Sequence, residues 1–139
     1  MPEQKLKLKA LLADDEEQYT TAYGMFLEDL GFSVTTVMDK DALLGAAGNA
    51  DVLIVDVCLP SDEKMEGIEA VASLVGEQRV GPAVPIIFIS GYKDDTPKVR
   101  KRLQLYPDLK GRYRWVWKDD EFEVLADAIE AELARLLPR

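Results

Sequence analysis

Four hydrophobic runs in this chain each end on a side chain able to do chemistry. Residues 8–13 stop at Asp14 and Asp15, residues 52–55 at Asp56, residues 86–89 at Ser90, and residues 115–117 at Lys118. Short apolar runs alternating with helix-like segments read as buried strands of a parallel sheet. Ligands of such sheets bind beyond the carboxyl ends of the strands, so the four stops should meet at one rim. Three carboxylates, one hydroxyl and one ammonium gathered there make a small acidic pocket suited to a divalent cation and a phosphoryl group.

The chemistry of those groups is coherent. A carboxylate can take a phosphoryl group as an acyl phosphate. Clustered carboxylates repel one another unless a hard cation sits among them, and Mg²⁺ prefers one or two carboxylates together with phosphate oxygens and water. The transition state of phosphoryl transfer is loose, so positioning and charge neutralisation do most of the work. Lys118 supplies a mobile point charge, and Ser90 a short donor. Plainer roles exist for each residue. Asp14 and Asp15 could cap the helix that follows them, Ser90 and Gly91 could form only a turn, and Lys118 could be a solvated strand end. Asp56 is harder to explain structurally, because an unpaired carboxylate at the end of a buried strand is costly. Cys58 reads as a small loop residue rather than a redox thiol.

The composition narrows the function. A chain of 139 residues with 47% hydrophobic content suits one compact domain over residues 1–139. A net charge of −9 argues against nucleic acid as partner, since backbone phosphates need Lys and Arg. The basic stretch at residues 93–114 is local and reads as a solvated helix face. There is no histidine, which removes His-activated nucleophiles, His metal sites and a phosphohistidine role. Cys58 is the lone cysteine, which fits a reducing compartment. No apolar stretch approaches the ~20 residues of a membrane span, and the start Met1-Pro2-Glu3-Gln4-Lys5 lacks a secretory core, so a cytoplasmic protein is expected.

The positioning elements alternate regularly. Strands are expected at residues 6–13, 33–37, 52–57, 84–89 and 115–117, and the third, the most apolar, should be central. Helices are expected at about 17–30, 41–47, 67–77, 97–105 and 120–137. Asp15 and Glu16 are placed to cap the first helix, Asp39 or Asp41 the second, and Asp95 or Thr96 the fourth, with Pro97 in its first turn. Gly31 should stop the first helix, and Gly81-Pro82 should break the chain before the fourth strand. Five βα units in one domain give a doubly wound α/β sandwich of three layers.

In this order, the pieces resemble the receiver domain of two-component response regulators over nearly the whole chain. They are Leu11-Leu12-Ala13-Asp14-Asp15-Glu16, then Val52-Leu53-Ile54-Val55-Asp56-Val57-Cys58-Leu59-Pro60, Gly67, Ile87-Phe88-Ile89-Ser90-Gly91, and Trp115-Val116-Trp117-Lys118. Each is weak alone; together on successive strand ends they are specific. The resemblance implies a flavodoxin-like, five-stranded parallel sheet of order 2-1-3-4-5. It implies that Asp56 accepts a phosphoryl group from a histidine kinase or a phosphotransfer protein. It implies that Asp15, Asp56 and the Cys58 backbone carbonyl ligate Mg²⁺, that Asp14 holds it through water, and that Ser90 and Lys118 contact the phosphoryl oxygens. Trp115, which shares a strand face with Trp117, would change rotamer as Ser90 moves. The fourth helix, fifth strand and fifth helix would then present an altered surface to a partner, and could join two copies of the chain. Trp115 and Trp117 could equally be cover for an edge strand.

Three features depart from the family pattern, one of them a segment from Ser90 to Lys118 that is longer than usual by that resemblance. Asp119 stands where members of the family usually have proline after the lysine, so a reshaped turn is expected there; Asp119 and Asp120 could cap the last helix or compete for Lys118. The charged loop between Pro60 and Gly67 is about three residues longer than usual by that resemblance. The lost proline motivates an alternative, a receiver-shaped interaction module that does not switch. An aspartate-nucleophile phosphatase would need a second Asp two residues after Asp56, where Cys58 stands, and a flavin protein would need a Ser/Thr/Gly-rich phosphate loop after the first strand. No effector segment follows the last helix, so a stand-alone receiver or a piece of a larger regulator is expected.

Overall fold

The structure is a computed structural model that describes residues 8–59, 65–92 and 95–136. Five strands, β1 (Lys9–Ala13), β2 (Ser33–Val37), β3 (Val52–Asp56), β4 (Ile86–Ser90) and β5 (Arg114–Trp117), alternate with five α-helices. The helices are α1 (Glu17–Asp29), α2 (Lys40–Ala46), α3 (Glu66–Gly76), α4 (Pro97–Gln104) and α5 (Phe122–Leu136). All neighbouring strands are parallel, in the order β2-β1-β3-β4-β5, so β3 is central as its composition requires. The expected flavodoxin-like architecture is therefore the one observed. No helix of the described residues is long and apolar enough to cross a membrane.

The two-residue alternation of the strands divides the core. Leu11, Ala13, Leu53, Val55, Ile86 and Phe88 face α2 and α3, where Leu43, Ile68, Val71 and Leu74 are fully buried against them. Ala10, Leu12, Ile54, Ile87, Ile89 and Val116 face α1 and α5, meeting Tyr23, Leu27, Leu125 and Ile129. Every residue of β3 and β4 is buried, which is why these two strands read as unbroken apolar runs.

Local signals set most boundaries, with some corrections. Asp39 caps α2 by accepting the Ala42 N–H at 2.7 Å, and Gly31, at φ 101°, follows α1 in the left-handed conformation that favours glycine. Pro97 occupies the first turn of α4, but Thr96 at its N-cap makes no side-chain capping bond. Glu16 likewise takes the N-cap position of α1 without a side-chain cap; its own N–H donates to Asp14 Oδ1 at 2.9 Å. β4 begins at Ile86 rather than Val84, because the Val84 N–H turns back onto the Gly81 carbonyl at 3.1 Å and Pro85 intervenes. α2 ends at Ala46 and passes into a short 3-10 turn, Ala47–Asn49. α5 starts at Phe122, two residues later than expected, because the Asp120 N–H closes a turn onto the Trp117 carbonyl at 3.0 Å. The expected start of the first strand at residues 6 and 7, the charged loop at 60–64, Lys93 of the basic stretch and residue 137 of the last helix lie outside the described residues.

Candidate phosphoryl-acceptor site

The strand order brings the four polar stops to one edge of the sheet. Asp14 follows β1, Asp56 ends the adjacent β3, Ser90 ends β4, and Lys118 follows β5. One carboxylate oxygen from each of Asp14, Asp15 and Asp56 lies within 4.8 Å of the others. Asp14 and Asp56 are buried, whereas Asp15 is half-exposed.

Asp56 is held at both oxygens. Its Oδ1 accepts the Cys58 N–H at 3.1 Å, and its Oδ2 accepts from Lys118 Nζ at 3.0 Å. The same ammonium stands 3.0 Å from Asp14 Oδ2. That contact is an ion pair without hydrogen-bond alignment, so Asp14 Oδ2 is a fully buried oxygen with no hydrogen-bond donor. Burial, together with the charge of Asp14, pushes the Asp56 carboxyl up to about 7 despite Lys118. Burial alone would lower the Lys118 ammonium, but Asp56 and Asp14 outweigh it and raise its pKa. Among the described residues, the Lys118 ammonium pairs with the two buried carboxylates while that of Asp15 lies close to both, a crowding a hard divalent cation would relieve. Asp14 Oδ2, buried and ion-paired to Lys118 without an aligned hydrogen bond, fits that group.

Gly67 explains how α3 can start so near. Its N–H donates to the Val57 carbonyl at 2.9 Å, and any Cβ there would collide with the Asp56 carbonyl oxygen. The preceding Met65 is buried with a left-handed φ of 55°.

Ser90 is fully buried, and its Oγ accepts the Tyr92 N–H at 2.9 Å. Both tryptophans reach the same short segment: Trp115 Nε1 donates to the Tyr92 carbonyl at 2.9 Å and Trp117 Nε1 to the Gly91 carbonyl at 3.2 Å. Trp115 also packs its ring against Phe88, with centroids 5.8 Å apart. Asp14, Asp15, Asp56 and Lys118 are therefore gathered as expected, with Ser90 on the neighbouring strand end. Tyr19 carries no signal in the sequence beyond helical spacing in α1 and its place five residues after Asp14, at the start of the helix that springs from the rim. Its ring nonetheless lies beside the site, its centroid 4.1 Å from Lys118 Nζ.

The sequence model of the response regulator receiver domain matches residues 10–106. No curated protein matches the chain. Among solved structures, a CheY-like receiver domain protein of Methanospirillum hungatei superposes with a TM-score of 0.73 at 20% identity, covering 94% of this chain and 97% of that one. The Vibrio cholerae chemotaxis protein CheY4 gives 0.73 at 25% identity, over 95% of this chain and 100% of that one. A Burkholderia pseudomallei response regulator protein, solved with a phosphorylated aspartic acid, a calcium ion and citrate, gives 0.71 at 23% identity, over 93% and 70%.

Proposed function

The chain belongs to the response regulator receiver domain family, and from that membership and the geometry of its rim we propose that Asp56 takes a phosphoryl group from a histidine kinase or a phosphotransfer protein. Receiver domains are signalling domains rather than classical enzymes. The observation that carries the reading is the placement of Asp56: buried at the end of the central strand, paired with Lys118, and within reach of Asp14 and Asp15.

In the proposed step a carboxylate oxygen of Asp56 forms a bond to phosphorus while the phosphorus–nitrogen bond to the donor imidazole breaks. The electron pair of the broken bond stays on the imidazole nitrogen, and the acyl phosphate remains on Asp56. Lys118 Nζ, already beside Asp56 Oδ2, meets the charge on the transferred oxygens, and Ser90 Oγ supplies a further donor once it turns from the Tyr92 N–H. Mg²⁺, held by Asp15, Asp56 and the Cys58 carbonyl and through water by Asp14, would neutralise the carboxylates and the phosphoryl oxygens. The relative from Burkholderia pseudomallei, solved with a phosphorylated aspartic acid and a calcium ion, supports an aspartate as the acceptor. Water attack on phosphorus returns Asp56 and releases inorganic phosphate.

Trp115 and Ser90 form the proposed switch. Turning the Ser90 hydroxyl toward a phosphoryl group frees the Tyr92 amide, and Trp115 holds the carbonyl of that same residue. The signal would pass to the surface of α4, β5 and α5, where a partner or a second copy could bind.

Intact-mass analysis after incubation with acetyl phosphate and Mg²⁺ tests the reading. One added phosphoryl group is expected, none in Asp56→Asn, and labelling that persists in that variant overturns the assignment.

A further inference from the structure

The rim carries an aromatic ring beside its charged groups. Lys118 Nζ stands 4.1 Å from the centroid of the Tyr19 ring, and the lysine side chain is only 7% exposed. A cation over a ring face is attracted by the ring quadrupole, more strongly where water is excluded. Tyr19 stacks on Tyr23 with centroids 5.9 Å apart and planes 20° from parallel. Tyr23, itself buried, meets Phe122 edge-on at 5.3 Å, and Phe26 lies 5.2 Å from the same Phe122 ring. Both ends of the turn from Lys118 to Phe122 are thereby clasped to α1: the ammonium on Tyr19, the phenyl ring on Tyr23 and Phe26.

We propose that Tyr19 is a positioning residue, which fixes the Lys118 ammonium in the pocket through the face of its ring. The inference rests on the reading of Lys118 as the phosphoryl contact. Lysine has a flexible four-carbon stem, so an ammonium that must meet an incoming group needs more than its resting partners to locate it. In the resting pocket those partners are Asp56 Oδ2 and Asp14 Oδ2, both at 3.0 Å. When a phosphoryl group is added to Asp56, the lysine must exchange one of these oxygens for another. A ring face imposes no single donor direction, so it can hold the nitrogen in place while its hydrogens change partners. A core role alone would ask only that residue 19 be large and apolar; the positioning role asks for the electrons of the ring.

The test compares Tyr19→Phe, Tyr19→Leu and a near-isosteric substitution of Tyr19 by 3,4,5-trifluorophenylalanine, whose ring face is electron-poor. The rate of labelling by acetyl phosphate in saturating Mg²⁺ is measured, with the ring-current shift of the Lys118 Hε protons as a readout independent of activity. Phe should keep the rate within about twofold and preserve the shift, whereas Leu should abolish the shift and slow labelling roughly tenfold. The trifluoro variant should slow it comparably while keeping the native melting temperature, so that a folding defect in the Leu variant leaves the test intact. Wild-type rates for both Leu and trifluorophenylalanine, or Phe as slow as Leu, would overturn the proposal. Lys118→Met separates the two claims. If it stops labelling while the Tyr19 variants label normally, only the role of Tyr19 falls; if it labels normally, the role of Lys118 falls and this inference with it.

Discussion

Gly67 lies against the main chain of Asp56 so closely that a Cβ at residue 67 would overlap the Asp56 carbonyl oxygen, and would also come within 2.9 Å of that of Val57. The obstacle is backbone at the end of the central strand, which cannot swing aside as a flexible side chain could. Gly67→Ala should therefore cost about 2–4 kcal/mol in urea unfolding and displace the acceptor carboxylate. A loss below about 0.5 kcal/mol would show that α3 yields easily and does not fix Asp56.

Mg²⁺ should stabilise the protein in proportion to the logarithm of its concentration above the dissociation constant. The driving force is the crowding of the Asp14, Asp15 and Asp56 carboxylates, two of them buried, within 4.8 Å of one another. Thermal melts with and without Mg²⁺ should show a rise in Tm that Asp15→Ala erases. An undiminished rise in that variant would place the cation elsewhere.

The raised Asp56 pKa carries a pH signature. Its carboxyl titrates near 7 in the native protein, against about 3.9 for an unfolded aspartate. Between those values the native state keeps a proton that the unfolded chain has lost. This contribution to stability is complete below about pH 4 and disappears as pH rises through about 7. Asp56→Asn, neutral at every pH, should be about 1–3 kcal/mol more stable than the parent near pH 8 without metal, and no more stable near pH 4. Denaturant melts at the two pH values check this; a gain independent of pH would contradict the burial of a charged Asp56 as its source.

Trp115 and Trp117 are the only tryptophans, and each donates its indole N–H to a carbonyl one or two residues after Ser90. Beryllofluoride with Mg²⁺, which mimics the acyl phosphate, should shift their emission, and Ser90→Ala should blunt the shift. Emission indifferent to beryllofluoride in protein that binds it would favour the receiver-shaped module that does not switch.

The rim was legible because parallel strands announce their own ends. Asp14, Asp56 and Lys118 interrupt apolar runs, and β-sheet topology then leaves them one place to meet. The two-faced core followed from the same alternation, and Asp39 and Pro97 marked helix starts by known capping chemistry. What escaped the sequence depends on contacts across space. The Asp14 carboxylate takes the Glu16 N–H, so the N-cap of α1 works without a side-chain cap of its own. Val84 belongs to a turn because its amide reaches Gly81, which a β-branched residue beside a proline does not advertise. Tyr19 and Tyr23, one helical turn apart, carry the spacing of ordinary core residues; only the docking of the turn after β5 onto α1 brings Tyr19 to Lys118.

Chemical localisation of the label shows whether Asp56 is the acceptor. Borohydride reduces an aspartyl phosphate to homoserine: one hydride adds to the carbonyl carbon as phosphate leaves, and a second reduces the resulting aldehyde to the alcohol. Peptide mass spectrometry after acetyl phosphate, Mg²⁺ and borohydride should find homoserine at residue 56 and unmodified aspartate at Asp14 and Asp15. Homoserine at Asp14 or Asp15 with Asp56 intact would contradict the account.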